Sequence, residues 1–194
     1  APAQLGNTSS PVQIPGTTWA SVNDGFRTGW AVKTDGTLWG WGQNYEGKLG
    51  QNQAAAQLAG LSSPTQIPGT NWANVYPSFH HNFAIKTDGT LWGWGRNYYG
   101  ALGINVGGNP GGSYSSPVQI PGTTWSKVAS DEYTSLALKT DGTIWSWGYN
   151  NRGNLGQNQA NNTGNRSSPT QVGTDTDWYT IMPSNWAFFA TKEL

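Results

Sequence analysis

The chain has 194 residues, ten basic and ten acidic side chains, a formal net charge of zero and no cysteine. Balanced charge gives no indication of a basic surface for nucleic acid or anionic membranes, and a cysteine-free chain forms no disulfide or zinc–cysteine site. From the balanced charge we expect no nucleic-acid partner. Because no apolar run reaches the ~18 residues of a membrane-spanning helix, we also expect no membrane insertion.

A period of 53 residues organises the sequence. The stretch KTDGTLWGWG at 33–42 recurs unchanged at 86–95, and KTDGTIWSWG fills 139–148. The chain's 12 Trp and 27 Gly favour strands and tight turns over helices. One tryptophan recurs at the same interval four times, at Trp19, Trp72, Trp125 and Trp178.

Each unit predicts four short strands, which we name A to D. In the first unit, strand A begins at Trp19 and strand B covers 29–33. The turn at 34–37 reads Thr-Asp-Gly-Thr, a strong hairpin signal because glycine supplies the positive φ. Strand C ends at Gly42, and strand D at 64–69 carries two prolines, which suits an edge strand.

Four strands in about 50 residues are typical of one β-propeller blade. The predicted fold is therefore all-β, a β-propeller built from ~53-residue four-stranded blades, with three full blades plus a split terminal blade. We expect strand C tryptophans to pack against glycine-lined backbone of the neighbouring blade. The single propeller segment, 1–194, divides into blades at about 17–69, 70–122 and 123–173, and a partial blade at 174–194 with an N-terminal strand at 9–16.

The stretches LWGWGQNYEGKLG (38–50), LWGWGRNYYGALG (91–103) and IWSWGYNNRGNLG (144–156) resemble the regulator of chromosome condensation repeat family. The resemblance covers nearly the whole chain and implies a propeller. It implies no single activity, since members include a nucleotide-exchange factor for a small GTPase, a β-lactamase inhibitor and many bacterial and phage proteins. Fold alone does not establish function.

The fourth unit contains only strand A, from Trp178 to Ile181, and strand B, from Phe188 to Lys192. A ring closed within this chain would leave backbone groups of the fourth blade unpaired. We therefore expect the chain to be part of a longer propeller. The alternative is a half-ring that is completed by other chains in an oligomer.

The repeats differ mainly at one end of the blades. The B–C turns read Thr-Asp-Gly-Thr and the D–A turns contain Pro-Gly-Thr, so we name that end the constant rim. The A–B segments (23–29, 76–82, 129–135 and 182–188) and the C–D tips lie at the opposite end and differ between copies, so we name it the variable rim.

Aromatic residues with small polar neighbours on the variable rim are typical of a binding surface. We therefore predict non-catalytic recognition of a partner, a protein or a surface glycan, through this rim. Unconstrained loop drift is the alternative explanation. The candidate binding residues are Phe26, Arg27, Tyr45, Tyr76, Phe79, His80, His81, Arg96, Tyr98, Tyr99, Glu132, Tyr133, Tyr149, Arg152 and Trp186.

Regular repeats, neutral charge and the lack of cysteine favour an extracellular or virion-associated adhesion protein that binds a phage or cell-surface receptor. Two other functions stay open: a carbohydrate-binding lectin, and a structural assembly module of a virion or surface layer. A lectin would use Tyr98 and Tyr99 as stacking platforms, whereas an assembly module would place the rims in subunit contacts.

No residue pattern predicts an enzyme, a cofactor or a metal. His80 and His81 are adjacent, and neighbours on an extended segment point apart, so they cannot jointly hold a metal ion well. Asp131 and Glu132 lack the alternating oxygen ligands of a calcium loop. No serine lies in a nucleophile elbow, and no glycine-rich phosphate loop opens a helix.

Overall fold

The computed structural model describes residues 13–53, 60–107, 112–158, 164–184 and 187–193. Of the predicted strand at 9–16, residues 9–12 lie outside these ranges and 13–16 are not in a strand. The strands are β1 Trp19–Gly25, β2 Thr28–Lys33, β3 Leu38–Gln43, β4 Gly60–Gln66, β5 Trp72–Pro77, β6 His81–Lys86, β7 Leu91–Arg96, β8 Ser113–Ile120, β9 Trp125–Ser130, β10 Thr134–Lys139, β11 Ile144–Gly148, β12 Arg166–Gln171, β13 Trp178–Ser184 and β14 Ala187–Lys192.

The strands form antiparallel meanders in chain order. Three sheets have four strands, β1 to β4, β5 to β8 and β9 to β12, and β13 pairs with β14 alone in the described ranges. Single 3-10 turns at Tyr45–Gly47 and Tyr98–Gly100 are the only helical elements there. The all-β prediction is confirmed. Within the same ranges, no helix has the length and apolarity needed to cross a bilayer.

The Thr-Asp-Gly-Thr turns fold as their sequence predicts. In the first, Gly36 has a φ of 77°, and the Asp35 carboxylate accepts hydrogen bonds from the Thr37 backbone N–H (2.9 Å) and hydroxyl (2.7 Å). These hydrogen bonds lower the pKa of Asp35. The equivalent Asp88 and Asp141 make the same two contacts with the threonine two residues later. Each turn thus stabilises its own hairpin locally.

Strand D lies at a sheet edge, as the prolines predict, but it begins earlier than expected. β4 starts at Gly60 rather than at Pro64, because Gly60 pairs with Gln43 and Leu61 with Gly42. This pairing extends strands C and D into the variable rim. The start could not be located from sequence, since the C–D tips have unrelated sequences.

The second tryptophan of strand C lies against glycine of the neighbouring blade, as predicted, since a Cβ on Gly50 would lie 3.0 Å from Trp94. Tryptophans also cover glycines of their own blade, which the sequence did not predict. Trp41 pairs across the sheet with Gly29, and Trp30 pairs with Gly40, so these rings cover glycines of their own blade. A Cβ on Gly40 would lie 2.7 Å from the Trp30 ring. The Trp30 ring therefore leaves no room for a side chain at Gly40.

The second tryptophan of strand C joins neighbouring blades. Trp94 donates its indole N–H to the Lys48 carbonyl of the preceding blade at 2.8 Å. Trp147 donates in the same way to the Ala101 carbonyl, also at 2.8 Å. Since the acceptor is a main-chain oxygen, the contact does not depend on which side chain occupies the tip.

Main-chain hydrogen bonds join the blades at the constant rim. The backbone N–H of Trp72 donates to the Gly36 carbonyl in the turn of the first blade (2.9 Å). Trp125 and Gly89 make the same bond at 3.0 Å, and Trp178 and Gly142 at 3.2 Å. The turns of the constant rim therefore also join neighbouring blades.

The apolar cores lie between neighbouring sheets. The first contains Trp30 and Leu38 of one sheet with Trp72 and Trp94 of the next. The second is built around Phe83 and further residues of the second and third sheets. Each blade buries its apolar face only against its neighbours, as in other repeat proteins.

Two glycines with the same backbone conformation test the blade-to-blade contact at the constant rim. Gly142 has a φ of 76° and Gly153 a φ of 75°. A Cβ on Gly142 would overlap the Thr176 carbonyl, whereas a Cβ on Gly153 meets nothing within 4 Å. We expect Gly153→Ala to lower the free energy of unfolding by about 1 kcal/mol, and Gly142→Ala to lower it by about 3 kcal/mol or more.

Urea unfolding followed by circular dichroism measures both values. Equal losses in the two variants would show that the contact between Gly142 and Thr176 does not limit stability.

Candidate functional site

The variable rim exposes a stacked pair of phenylalanines. Phe26, between β1 and β2, lies against Phe79, between β5 and β6, with ring centroids 3.9 Å apart and an interplanar angle of 15°. Their side chains are 41% and 44% exposed, and the nearby Tyr45 is 63% exposed. Rings of this size are normally buried, so their exposure at the rim is the first sign of a contact surface.

A buried lysine holds this pair in place. The Lys48 ammonium donates hydrogen bonds to the carbonyls of Phe26 (2.7 Å) and Phe79 (3.0 Å). Lys48 lies in the C–D tip of the first blade, so it connects that tip to two A–B segments. The equivalent positions in the other copies are Ala101 and Asn154. Burial lowers the pKa of Lys48 to about 8.

Charged side chains from three repeats meet beside the stack. Glu46 approaches Arg96 at 3.0 Å and the imidazole of His80 at 3.4 Å. The other ring nitrogen of His80 lies 3.4 Å from Glu132. Pairs at this degree of exposure contribute little to stability. Their main effect is to fix the orientation of the groups.

A tyrosine cluster continues the surface. Tyr99 lies 4.3 Å from Tyr149 and 5.5 Å from Tyr133 between ring centroids. The Arg96 guanidinium lies 3.5 Å from the Tyr98 ring centroid, in cation–π range. Burial, with the neighbouring Glu132, raises the pKa of Tyr133 to about 12, so its hydroxyl stays protonated.

The four A–B segments enclose an open pocket of about 560 Å³, which we name the A–B pocket. Each of the four sheets contributes lining residues, and Ser78 ties two segments together by donating to the Asp131 carbonyl at 2.6 Å. The lining residues used below are Asp24, Phe26, Phe79, Asp131, Glu132 and Pro183.

No group of three or more His, Cys, Asp or Glu side chains in the described ranges has the arrangement to hold a metal ion. The rim instead offers aromatic faces, guanidinium and carboxylate groups.

Comparison with known sequences identifies the repeat. The Regulator of chromosome condensation (RCC1) repeat matches residues 35–83, 88–138 and 141–180. The chain belongs to the RCC1 repeat family. The resemblance expected from the strand C and tip sequences is therefore confirmed.

The RCC1 relatives are larger proteins. The chain is 32% identical over 127 residues to the mitochondrial RCC1 domain-containing protein RUG3 of Arabidopsis thaliana, covering 64% of this chain and 27% of that protein. It is 32% identical over 112 residues to the Protein RCC2 homolog of Danio rerio, covering 56% and 21%. For the human probable E3 ubiquitin-protein ligase HERC3, the match of 32% over 110 residues covers 55% of this chain but 9% of that protein.

Two solved structures share the fold. Yeast RCC1 (Prp20) in its complex with Kap60 superposes with a TM-score of 0.77 at 18% identity, covering 91% of this chain and 43% of that chain. Human WBSCR16 gives a TM-score of 0.68 at 20% identity, covering 85% and 43%. The predicted propeller is confirmed. The chain spans less than half of these structures.

The fold brings most of the predicted binding residues together. Arg27 lies beside the stack, with its guanidinium 5.0 Å from the Phe26 ring centroid, and Arg152 is exposed on the third C–D tip. Trp186 lies outside the described residues. The residues that the rim gathers are Phe26, Arg27, Tyr45, Phe79, His80, Arg96, Tyr98, Tyr99, Glu132, Tyr133 and Tyr149.

Two predicted binding residues are not on the rim surface. His81 begins β6 and is fully buried, so it cannot contact a partner, although it does point away from His80 as expected. Tyr76 lies within β5, packs against the second core and donates its hydroxyl to the Ser126 carbonyl at 3.2 Å. Both corrections arise because the A–B segment is shorter than the sequence suggested.

The sequence prediction also missed residues. Lys48 was not a candidate, although it differs from the alanine and asparagine of the other two tips. Asp24 and Asp131 of the A–B pocket were missed because their role depends on four segments meeting in space.

Lys48 gives a pH-dependent test of the rim. The variant Lys48→Met leaves two carbonyls without their donor and is expected to lose about 1 to 3 kcal/mol at pH 7. The ordinary pKa of lysine is 10.5 and the folded value is about 8. The unfolded chain therefore binds more protons between these values, and the stability of wild type relative to the variant should rise with pH.

Urea unfolding at pH 7 and pH 10 measures this difference. Lys192→Met is the control, because Asp175 and Asp177 raise the pKa of that exposed lysine. The free energy of unfolding of wild type relative to Lys192→Met should not rise between pH 7 and pH 10. If the free energy of unfolding of wild type relative to Lys48→Met does not change between pH 7 and pH 10, burial does not lower the pKa of Lys48 in the folded protein.

His81 predicts sensitivity to acid. Burial, with His80 and Lys48, lowers the pKa of His81 from 6.5 to about 3. Between these values the unfolded chain binds the extra proton, so stability falls with decreasing pH by up to about 1.4 kcal/mol per pH unit. The variant His81→Leu should remove this contribution.

The measurement is the free energy of unfolding of wild type and His81→Leu at pH 7.5, 6 and 5. The stability of wild type relative to the variant should fall as the pH is lowered. A constant difference would show that His81 becomes protonated in the folded protein.

Proposed function

We propose that the chain is a non-catalytic recognition module that binds another protein through its variable rim. The observation that carries this proposal is the exposure of Phe26, Phe79 and Tyr45 on a surface that the fold holds in a fixed arrangement. Clustered aromatic side chains beside arginine are the usual anchors of protein interfaces.

The fixed arrangement of the rim side chains also favours binding. The Lys48 hydrogen bonds and the contacts of His80 with Glu46 and Glu132 hold the aromatic groups before a partner arrives. A surface fixed in this way loses little conformational entropy on association. Loops without a function would not need the hydrogen bonds by which the buried Lys48 joins two A–B segments.

Binding to proteins is also known among structures with this fold. Prp20p of Saccharomyces cerevisiae was characterised for its binding to Gsp1p and histones, and the same protein was solved bound to Kap60. These similarities are at 18% identity, so they support the use of the fold in protein binding and do not identify a partner.

We place this recognition at an extracellular or virion surface, where adhesion to a phage or cell-surface receptor is the corresponding role. The support is compositional: zero net charge, no cysteine and nearly identical repeats. A surface glycan would then be a second class of ligand, and assembly into an oligomer a second use of the rim.

The test compares three immobilised proteins: wild type, the rim variant Tyr45→Ala/Phe79→Ala, and the constant-rim control Thr70→Ala/Thr123→Ala. The control threonines are exposed. Circular dichroism first confirms that all three are folded. A protein partner captured by wild type should bind the rim variant at least about tenfold more weakly and the control equally well, as expected for interface anchors.

Equal binding to the rim variant would contradict the proposal. A glycan array with Tyr98→Ala/Tyr99→Ala as control detects the lectin alternative, since sugar binding that disappears in this variant would replace the proposed function. Light scattering detects the assembly alternative, in which a discrete oligomer dissociates in the rim variant.

A further inference from the structure

The A–B pocket combines negative charge with an aromatic wall. Asp24, Asp131 and Glu132 contribute carboxyl groups, and none of the described residues that line the pocket is a Lys, Arg or His. Phe26 and Phe79 line the same space with their stacked rings. At about 560 Å³, the pocket lies within the usual size range of ligand sites, roughly 300 to 1,000 Å³.

The carboxyl groups differ in exposure, since Asp131 and Glu132 are half-buried and Asp24 is exposed. Asp131 is held by the backbone N–H groups of Tyr133 (3.0 Å) and Thr134 (2.7 Å). Burial is the main cause of its raised pKa, and the neighbouring Glu132 adds to it. Carboxyl groups that lie close together and partly out of water are costly to ionise, and a bound cation would offset that electrostatic cost.

The phenylalanine pair is an independent feature that fits the same ligand. Aromatic faces attract cations within about 6 Å of the ring centroid, and guanidinium also stacks on them. The protein's own Arg27 and Lys48 already lie 5.0 and 5.7 Å from the Phe26 centroid, and they line a neighbouring pocket rather than the A–B pocket. Both rings are exposed enough to receive a second planar cation from the A–B pocket.

The pocket walls are also fixed. Lys48 holds the carbonyls of both phenylalanines, and Ser78 ties the second A–B segment to the third. Pro183 restricts the backbone of the fourth A–B segment, which forms another wall of the pocket. A preformed site can bind a single side chain without reorganisation.

We propose that the A–B pocket receives an arginine side chain of the protein partner. Its guanidinium stacks beside the Phe26–Phe79 pair and forms hydrogen-bonded ion pairs with Asp24 and Glu132. Arginine fits better than lysine because its planar fork meets carboxylates in two parallel bonds and packs against rings. This inference rests on the proposed function, since it names the group of the partner that the rim recognises.

The probe is the blocked tripeptide acetyl-Gly-Arg-Gly-amide, titrated into the ¹⁵N-labelled chain and followed by NMR. The citrulline tripeptide is the matched probe, because citrulline has nearly the shape of arginine without its charge. The arginine peptide should give saturable shifts at the amides of Gly25, Ser78 and Asp131. Its half-saturation concentration should be lower than that of the citrulline peptide by about threefold or more.

Variants locate the site. Asp24→Asn and Glu132→Gln should each weaken binding of the arginine peptide by about threefold or more, whereas Glu193→Gln, an exposed carboxylate outside the pocket, should leave it unchanged. Equal binding of the two peptides, no saturable shift, or shifts that persist in both pocket variants would overturn the assignment.

These outcomes differ from a failure of the proposed function. If the rim variant loses its protein partner while the pocket shows no preference for arginine, the rim still binds and only the pocket assignment is wrong. If the peptide binds as expected but the rim variant retains every partner, the proposed function is wrong and the pocket is a separate cation site.

Discussion

The architecture depends on hydrogen bonds that a tryptophan of one blade donates to main-chain carbonyls of the blade before it. At the constant rim the donor is the backbone N–H at the start of strand A, as between Trp72 and Gly36. At the variable rim it is the indole N–H of the second strand C tryptophan, as between Trp94 and Lys48. The three four-stranded blades are therefore joined to one another at both ends, with apolar cores between them.

Main-chain acceptors explain how a repetitive scaffold supports a variable surface. Lys48 and Ala101 have different side chains, yet each presents its carbonyl to a tryptophan at 2.8 Å. The side chains of the tips can therefore change without loss of the contact that joins the blades. In the first tip the side chain at this position is Lys48, which donates hydrogen bonds to the carbonyls of the Phe26–Phe79 pair.

Much of the fold could be predicted from sequence because its signals are local. Asp-Gly turns, alternating apolar residues and the tryptophan period each depend on a few neighbouring residues. The start of β4 and the depth of His81 could not be predicted in this way. Both depend on where one strand pairs with another, and a shift of one residue moves a side chain to the opposite face.

The binding surface was predictable in outline but not in its chemistry. Sequence comparison between repeats located the rim, since Phe26, Phe79 and Tyr99 lie in segments whose sequences differ between the copies. It could not find the role of Lys48, because a loop lysine is usually solvated and only the fold places two carbonyls around this one. The A–B pocket likewise exists only where separate segments meet.

Three contacts of the variable rim join adjacent repeats: Phe26 with Phe79, Glu46 with Arg96, and His80 with Glu132. The unit of recognition is thus the junction between two blades, whereas the unit of duplication is the single blade. The order in which repeats follow one another is therefore itself a source of diversity. Inserting, deleting or exchanging one copy creates new pairs of neighbours, and so a new surface, from side chains the chain already contains.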